Sequence, residues 1–426
     1  MFHYLHQIWH TKDLRTKILV TLGLLVVYRV LAHLPVPGTD PIALKQFLTS
    51  KASGGILGVF ASLTGGAVDN FSVAMLGLSP YINASIIIQL CTVIFPKLEA
   101  LSKEGQHGQQ TLNRYTRWLS FPLCFIQSYG FLILIGRGGI KLIDLSFPGV
   151  LLPMLFVTAG SIFLMWIGEM ITEKGIGNGI SMIIFAGIVA NIPSRVSAMY
   201  LSGDSGNTGA FVLFAVLALV MLIAVVLFTD AHRLIPITYA NQGAGRGVQG
   251  GLPIRLNQAG MVPILFAISL ITLPAIIAQF LVTAPRFQGV VSAINAYFNS
   301  QNPSYAYIVA YFLLVLLFTF FYVSVTFKPT DLAETIQKRG GFIPGMRPGP
   351  QTAALLEKVS NRLNLWGGIF LGIVAVVPIL FTKFSTLGSQ NLIVSGSGLI
   401  IMVGVVMELI RQVNAQMLAH DYDKLV

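Results

Sequence analysis

Ten segments of this chain are apolar over lengths that match a lipid bilayer, and one further apolar stretch is too short to cross it. The short stretch, residues 54–66, opens on Gly54-Gly55, closes on Gly65-Gly66 and carries Ile56, Leu57, Val59, Phe60 and Leu63 between the glycine pairs. A helix needs about 20 residues to span the hydrocarbon. A half-helix on glycine hinges, placed directly before a full span, can instead fold back into a cavity within the membrane. It cannot face lipid there, because its end groups would have no hydrogen-bond partners. The pattern predicts a chain that encloses a cavity, with a short, movable element standing in it.

Composition agrees. The chain is 54% hydrophobic and 10% charged, where water-soluble domains carry about 25% charged residues, so a large soluble domain is excluded. The expected spans lie near 18–34, 71–95, 115–136, 150–171, 180–199, 210–229, 257–282, 305–327, 363–382 and 392–412, an all-α integral membrane protein of ten helices. The first span follows no signal-peptide pattern and reads as a retained helix. Ten crossings put both termini on one side. Of the 27 lysines and arginines, nineteen fall in loops on that side and seven on the other, and Arg29 snorkels outward from late in the first span. That bias places both termini in the cytoplasm, and it accounts for the net charge of +11 without a nucleic-acid partner. Cys91 and Cys124 both lie in apolar segments, which gives neither a disulfide framework nor a metal site. Five spans precede residue 200 and five follow it. An odd number per half forces duplicated halves, 1–200 and 201–426, into opposite orientations, the arrangement of inverted repeats.

The two longest inner loops, 230–256 and 328–362, are basic and rich in glycine and proline. In the first, Gly245-Arg246-Gly247-Val248-Gln249-Gly250 copies a dinucleotide fingerprint, but Leu252-Pro253 follows where a helix is required, so nucleotide binding is not expected. In the second, Arg347 sits in Phe342-Ile343-Pro344-Gly345-Met346-Arg347-Pro348-Gly349. Topology charge alone would account for this arginine. A bent, rigid loop also loses little entropy on docking, which makes a partner surface the competing reading. The loop Thr172-Glu173-Lys174-Gly175-Ile176-Gly177-Asn178-Gly179 reads as a compact turn, and Pro80, Pro122, Pro153, Pro263, Pro274 and Pro378 read as bends within spans.

Glu169 and Glu408 stand near inner ends of spans, and no Asp, Glu, His or Lys sits mid-span where a proton relay needs one. Mid-span polarity is mild: Asn83, Ser85 and Gln89 in the second span, with Asn257 and Gln258 opening the seventh. Such groups commonly tie helices together for under ~2 kcal/mol each. From the residues alone a channel and a secondary transporter both fit. The missing carboxylate argues against proton coupling, whereas sodium coupling through carbonyls stays open. No cluster with ligand or triad spacing supports an enzyme.

Several long, irregular strings carry a family resemblance. They are Leu34-Pro35-Val36-Pro37-Gly38, residues 79–90 beginning Ser79-Pro80-Tyr81, Phe163-Leu164-Met165-Trp166-Ile167-Gly168-Glu169, residues 172–181 continuing through 183–190, and residues 342–352. Across nearly its whole length the chain resembles the SecY family of bacterial protein-conducting channels. The resemblance implies two five-helix halves, 1–200 and 201–426, hinged around an hourglass pore whose waist is an aliphatic ring. The matching ring positions are Leu78, Ile82, Ile180, Ile184, Leu265 and Ile401. It further implies that 54–66, with Ile56, Leu57, Val59, Phe60 and Leu63, is a plug. Asn83, Gln89 and Asn257 would lie at a lateral gate between the second and third spans and the seventh and eighth. Arg246, Arg255 and Arg347 would lie on the docking surface for the ribosome and the SecA ATPase. The implied partners also include the small membrane subunits SecE and SecG, signal peptides, nascent or unfolded polypeptides and membrane lipid, in the bacterial cytoplasmic (inner) membrane. No cofactor, metal or covalent chemistry is implied. The 230–256 loop departs from the pattern, with three arginines where the family pattern leads one to expect more.

Overall fold

The computed structural model describes residues 11–37, 67, 71–136, 147–201, 208–239, 249–281, 287–298, 303–384 and 396–423. Residues 54–66 and Arg246 lie outside the described residues. Each of the ten predicted spans contains one helix: α1 (Lys12–His33), α2 (Ser79–Ile94), α4 (Gln106–Gly136), α5 (Phe147–Lys174), α6 (Gly179–Leu201), α7 (Thr208–Asp230), α8 (Val262–Leu281), α10 (Tyr305–Thr326), α12 (Pro350–Phe384) and α13 (Gly396–Asp423). Among the described residues, four helices are long and apolar enough to cross a membrane unaided, with shorter apolar stretches at Gly179–Pro193, Ala215–Asp230 and Val262–Pro274. Among the described residues, three further helices lie between the spans: α3 (Pro96–Lys103), α9 (Gln288–Tyr297) and α11 (Pro329–Lys338).

The helix ends have local causes. A residue before proline avoids the helical region of φ/ψ. Phe95, before Pro96, is extended at φ −103°, ψ 115°, and the chain turns by 103° between α2 and α3. Lys328, before Pro329, is likewise extended and separates α10 from α11. Pro80 and Pro263 prove to lie in the first turn of α2 and α8, where the missing N–H costs nothing. The expected bends at these two positions are therefore helix starts, whereas Pro122, Pro153, Pro193, Pro274 and Pro378 are internal. Asn257 and Gln258 precede α8 and do not open it.

The turn between α5 and α6 is tied at several points. Gly177 takes φ +83°, open to glycine at little cost. The Gly179 N–H donates to Thr172 Oγ1 at 2.9 Å, the Ser181 N–H to Asn178 Oδ1 at 3.2 Å, and the Ile176 N–H to Thr21 Oγ1 of α1 at 3.1 Å. The compact turn is thus docked on the first helix.

Neighbour order is similar on the two sides of residue 200. In the first half α2 packs on α4, α4 on α5, α5 on α6, and α1 on α5 and α6. In the second α8 packs on α10, α10 on α12, α12 on α13, and α7 on α13. The halves meet where α6 touches α13 and where α8 touches α2 and α4. One apolar cluster joins residues of both, from Tyr28 and Leu164 to Val315 and Val405.

The described parts of the two long loops, 230–256 and 328–362, fold together. Strands β1 (His232–Tyr239) and β2 (Gln249–Arg255) form an antiparallel pair with His232 opposite Arg255, and β3 (Gly341–Phe342) adds to the far edge of β1 at Thr238 and Tyr239. Ile235, Ile237 and Ile254 bury against Ile336 of α11, Ile343, and Leu356, Val359 and Leu363 of α12. This second small core stands at the end of α7, α10 and α12.

Candidate functional site

The six predicted ring positions fall within a single apolar cluster. Leu78, Ile184 and Ile401 are buried in it, and Ile82, Ile180 and Leu265 pack against it while keeping part of their surface accessible. They reach it from four elements. Leu78 caps α2, and the Ile82 N–H donates to its carbonyl at 3.0 Å. Ile180 and Ile184 sit one turn apart on α6, Leu265 on α8 and Ile401 on α13. Spacing of four residues puts both members of the α2 and α6 pairs on one helix face. Because α6 touches α13 and α2 touches α8, these helices include the contacts between the two halves.

Residues 54–66 lie outside the described residues, but the strands of chain leading to and from them are stapled together. Pro35 and Ser72 form an antiparallel bridge, the Val36 N–H donates to the Phe71 carbonyl at 3.0 Å, and the Val73 N–H donates to the Leu34 carbonyl at 3.0 Å. Phe71 holds φ +44° while only 1% exposed. A left-handed conformation costs a non-glycine residue roughly 1–2 kcal/mol, so burial of the ring and the bridge must hold this junction in place.

Asn83 and Gln89 are half-buried on α2, where the Gln89 Nε2 donates to Ser85 Oγ at 3.4 Å. Asn257 lies in the bend before α8, its Oδ1 buried without a hydrogen-bond partner among the described residues. The adjacent Gln258 Oε1 accepts the Ser360 hydroxyl at 2.8 Å, tying this bend to α12. Helix α8 touches both α2 and α4 along this seam.

Arg255 ends β2, and burial lowers its guanidinium pKa, with nearby Arg411 lowering it further and Glu408 raising it. Arg347 is exposed on a pinned turn. Its N–H donates to Gln351 Oε1 at 3.3 Å, its carbonyl accepts the Thr352 hydroxyl at 3.2 Å, and Gly345 takes φ +83°. Ile343, four residues earlier, is anchored in the small core. Two further ties escaped sequence reading. Arg411 of α13 donates to the Thr229 carbonyl at 3.0 Å and pairs with Asp230 at 3.4 Å, clamping the end of α7 just before β1. Arg117 of α4 pairs with Glu169 of α5. Each joins charges far apart in sequence, so no local spacing announces it.

Among the described residues no group of three or more His, Cys, Asp or Glu is placed to hold a metal. The arrangement offers an apolar contact region where the two halves meet, and a small folded unit carrying Arg255 and Arg347 beside the ends of α7, α10 and α12.

A family model described as SecY matches residues 72–410. The protein translocase subunit SecY of Mycobacterium bovis is 39% identical over 436 residues, covering 97% of each chain. A solved structure described as that of a protein conducting channel aligns with a TM-score of 0.67 at 18% identity, covering 94% of this chain and 92% of that one. Sec61 in the canine ribosome–channel complex from the endoplasmic reticulum aligns with a TM-score of 0.65 at 18% identity over the same shares. At these identities the structural likeness establishes the fold.

Proposed function

The chain belongs to the SecY family, and from that membership we infer that it is a protein-conducting channel: it passes unfolded secretory polypeptides across the membrane and releases hydrophobic segments sideways into lipid. The observation that supports the mechanism is that Leu78, Ile82, Ile180, Ile184, Leu265 and Ile401 all belong to, or pack against, the apolar cluster shared by the two halves. We read these six as the ring at the waist.

A polar chain cannot cross lipid directly, since each unpaired backbone group would cost several kcal/mol. It needs a wet path, but an open wet path leaks ions. A narrow aliphatic constriction meets both demands. Empty, it dewets and blocks ions; occupied, it yields to whatever side chain is passing. Aliphatic groups favour no particular sequence. The stretch 54–66 serves as a plug, a second seal at rest. Parting the α8 seam from α2 and α4 opens the lateral gate, in which we place Asn83, Gln89 and Asn257. A segment of about 20 apolar residues then prefers lipid and leaves sideways, while polar segments continue across.

The similar neighbour order in 1–200 and 201–426 supports two inverted halves. No covalent step is required, so the chain acts without enzymatic chemistry of its own and work comes from outside. We assign the basic unit, with Arg246, Arg255 and Arg347, to docking of the ribosome and the SecA ATPase. The likeness to Sec61 from a ribosome complex supports the former. SecE and SecG complete the assembly. The charge bias of the loops supports a bacterial cytoplasmic membrane location with both termini inside.

Cysteine crosslinking of a stalled secretory chain tests the ring. Ile82→Cys and Ile184→Cys should crosslink to the stalled chain, while Leu213→Cys, at a position 59% exposed on α7, should not. Equal yields at all three positions would refute a central passage. Reversing charge with Arg347→Glu should lower secretion about tenfold or more, the result of losing ~1.4 kcal/mol or more of docking energy, while the variant inserts at wild-type levels. Equal loss of secretion and insertion would mean that the arginine serves topology instead.

A further inference from the structure

A groove of about 540 Å³ lies between α10 and the start of α12. Glu357, Lys358, Asn361, Arg362 and Leu365 line it from α12 and Phe320 from α10. Residues 354, 358, 361, 362 and 365 share one face of the helix.

The groove sits where α12 enters the bilayer. After Arg362 no charged residue follows until Lys383, and Trp366, one turn beyond, is 67% exposed. An exposed indole at the start of an apolar span marks the membrane–water interface. The groove therefore has a charged lip above that interface, formed by exposed Lys358, Arg362 and Glu357, and an apolar floor below it, formed by Leu365 and Phe320.

The lip is electrostatically incomplete. Lys17, Lys103 and Lys338 each pair with a carboxylate one turn away. Among the described residues, Lys358 and Arg362 make no such pair and stand one turn from each other, an arrangement of like charges that is unfavourable on a helix. A phosphate between them removes the repulsion. The guanidinium fork can grip it bidentately, and the Asn361 amide adds a donor. With Glu357 counted, the lip carries one net positive charge, which a single phosphodiester neutralises.

We propose that this groove is a binding site for one anionic phospholipid of the cytoplasmic leaflet, with its phosphate on Lys358 and Arg362, headgroup hydroxyls on Glu357 and Asn361, and its acyl chains along Leu365 and Phe320. Basic pockets at the cytoplasmic mouths of membrane helices suit such headgroups. The site is separate from Arg347, which points from the loop tip.

Native mass spectrometry of the full chain in detergent, incubated with equal amounts of phosphatidylglycerol and phosphatidylcholine, tests the assignment. The wild-type chain should retain phosphatidylglycerol preferentially. The Lys358→Gln/Arg362→Gln variant should bind it at least about tenfold more weakly, in line with about 1 kcal/mol for each basic residue near the membrane surface. Lys338→Gln, on α11, should bind as wild type. The replaced side chains are exposed, so the unfolding midpoint should not move. Should the double variant misfold, Arg362→Lys, which keeps the charge and loses the fork, should bind with intermediate affinity. Equal retention of phosphatidylglycerol by wild type and variants, or no preference over phosphatidylcholine, would overturn the proposal. So would a variant that keeps its lipid but loses ribosome or ATPase binding, which would make the patch a protein surface.

Discussion

Replacing Ile401 with asparagine is expected to raise the resting ion conductance of the channel by one to two orders of magnitude. Ile401 is completely buried in the cluster that joins the two halves. An amide there, in the dry constriction proposed above, would leave its polar groups unsatisfied at a cost of about 1–3 kcal/mol. Water entering the constriction relieves that cost, so the balance between dry and wet states moves toward wet by a similar amount, a factor of roughly 5–150. Ile401→Val is the control. It removes one methylene and leaves a small apolar void, which stays dry, so conductance should hardly change. Planar-bilayer recordings of the two variants distinguish polarity from volume. If both leak alike, the constriction seals by packing alone and the dewetting account fails. Secretion should survive the asparagine change, because a wetted constriction still passes an extended chain.

The parts of this protein that face lipid were legible in its sequence, and the parts that face water were much less so. Hydropathy locates the stretch of a helix that lies in hydrocarbon, and each of the ten apolar segments holds one helix. It does not locate the ends. Helix α4 begins at Gln106, through a polar segment that reads as loop, and α12 begins at Pro350, well before its apolar part. Polar residues continue a helix readily once it is started. The folded unit built from 230–256 and 328–362 was hidden because its core draws on residues some hundred positions apart, such as Ile237 and Ile343. The local hint was present: Ile235 and Ile237 alternate with outward-facing Leu234 and Pro236, the period of a strand buried on one face. Glycine and proline content outweighed it.

The proposed ring illustrates the division most clearly. Periodicity pairs Leu78 with Ile82 and Ile180 with Ile184, but nothing local relates either pair to Leu265 or Ile401. Only the family resemblance relates them, and all six lie in or against the apolar cluster that joins the two halves. Two of the six proline readings fail for a related reason. The apolar segments begin before Pro80 and Pro263, so both read as bends within spans, whereas residues 71–78 and 257–261 enter as turns and bends before their helices start. An apolar residue in a buried turn has the same hydropathy as one in a helix.

The other large effect concerns a residue that makes no contact through a side chain. Gly179→Ala should destabilise the protein by about 1–3 kcal/mol or more, the usual cost of overpacking, and should disturb the ring as well. A methyl group at this position would lie 1.9 Å from the Gly168 carbonyl oxygen and 2.8 Å from Ile171 Cβ. Backbone cannot rotate aside as a side chain can, so α5 and α6 must separate. Close approach through small residues is a common way for membrane helices to associate, and here it sets the height of α6 against α5. Ile180 is the next residue and Ile184 lies one turn further, so a shift of α6 moves both positions of the proposed ring. Gly289→Ala on α9 meets nothing within 4 Å and should be neutral or stabilising by up to about 1 kcal/mol, since alanine favours a helix over glycine. Thermal unfolding in detergent, followed by size-exclusion chromatography, separates the two variants, and bilayer conductance reports on the ring. A Gly179→Ala variant that melts with wild type would mean that α5 and α6 part easily. A variant that melts early but conducts no more than wild type would uncouple this helix contact from the seal.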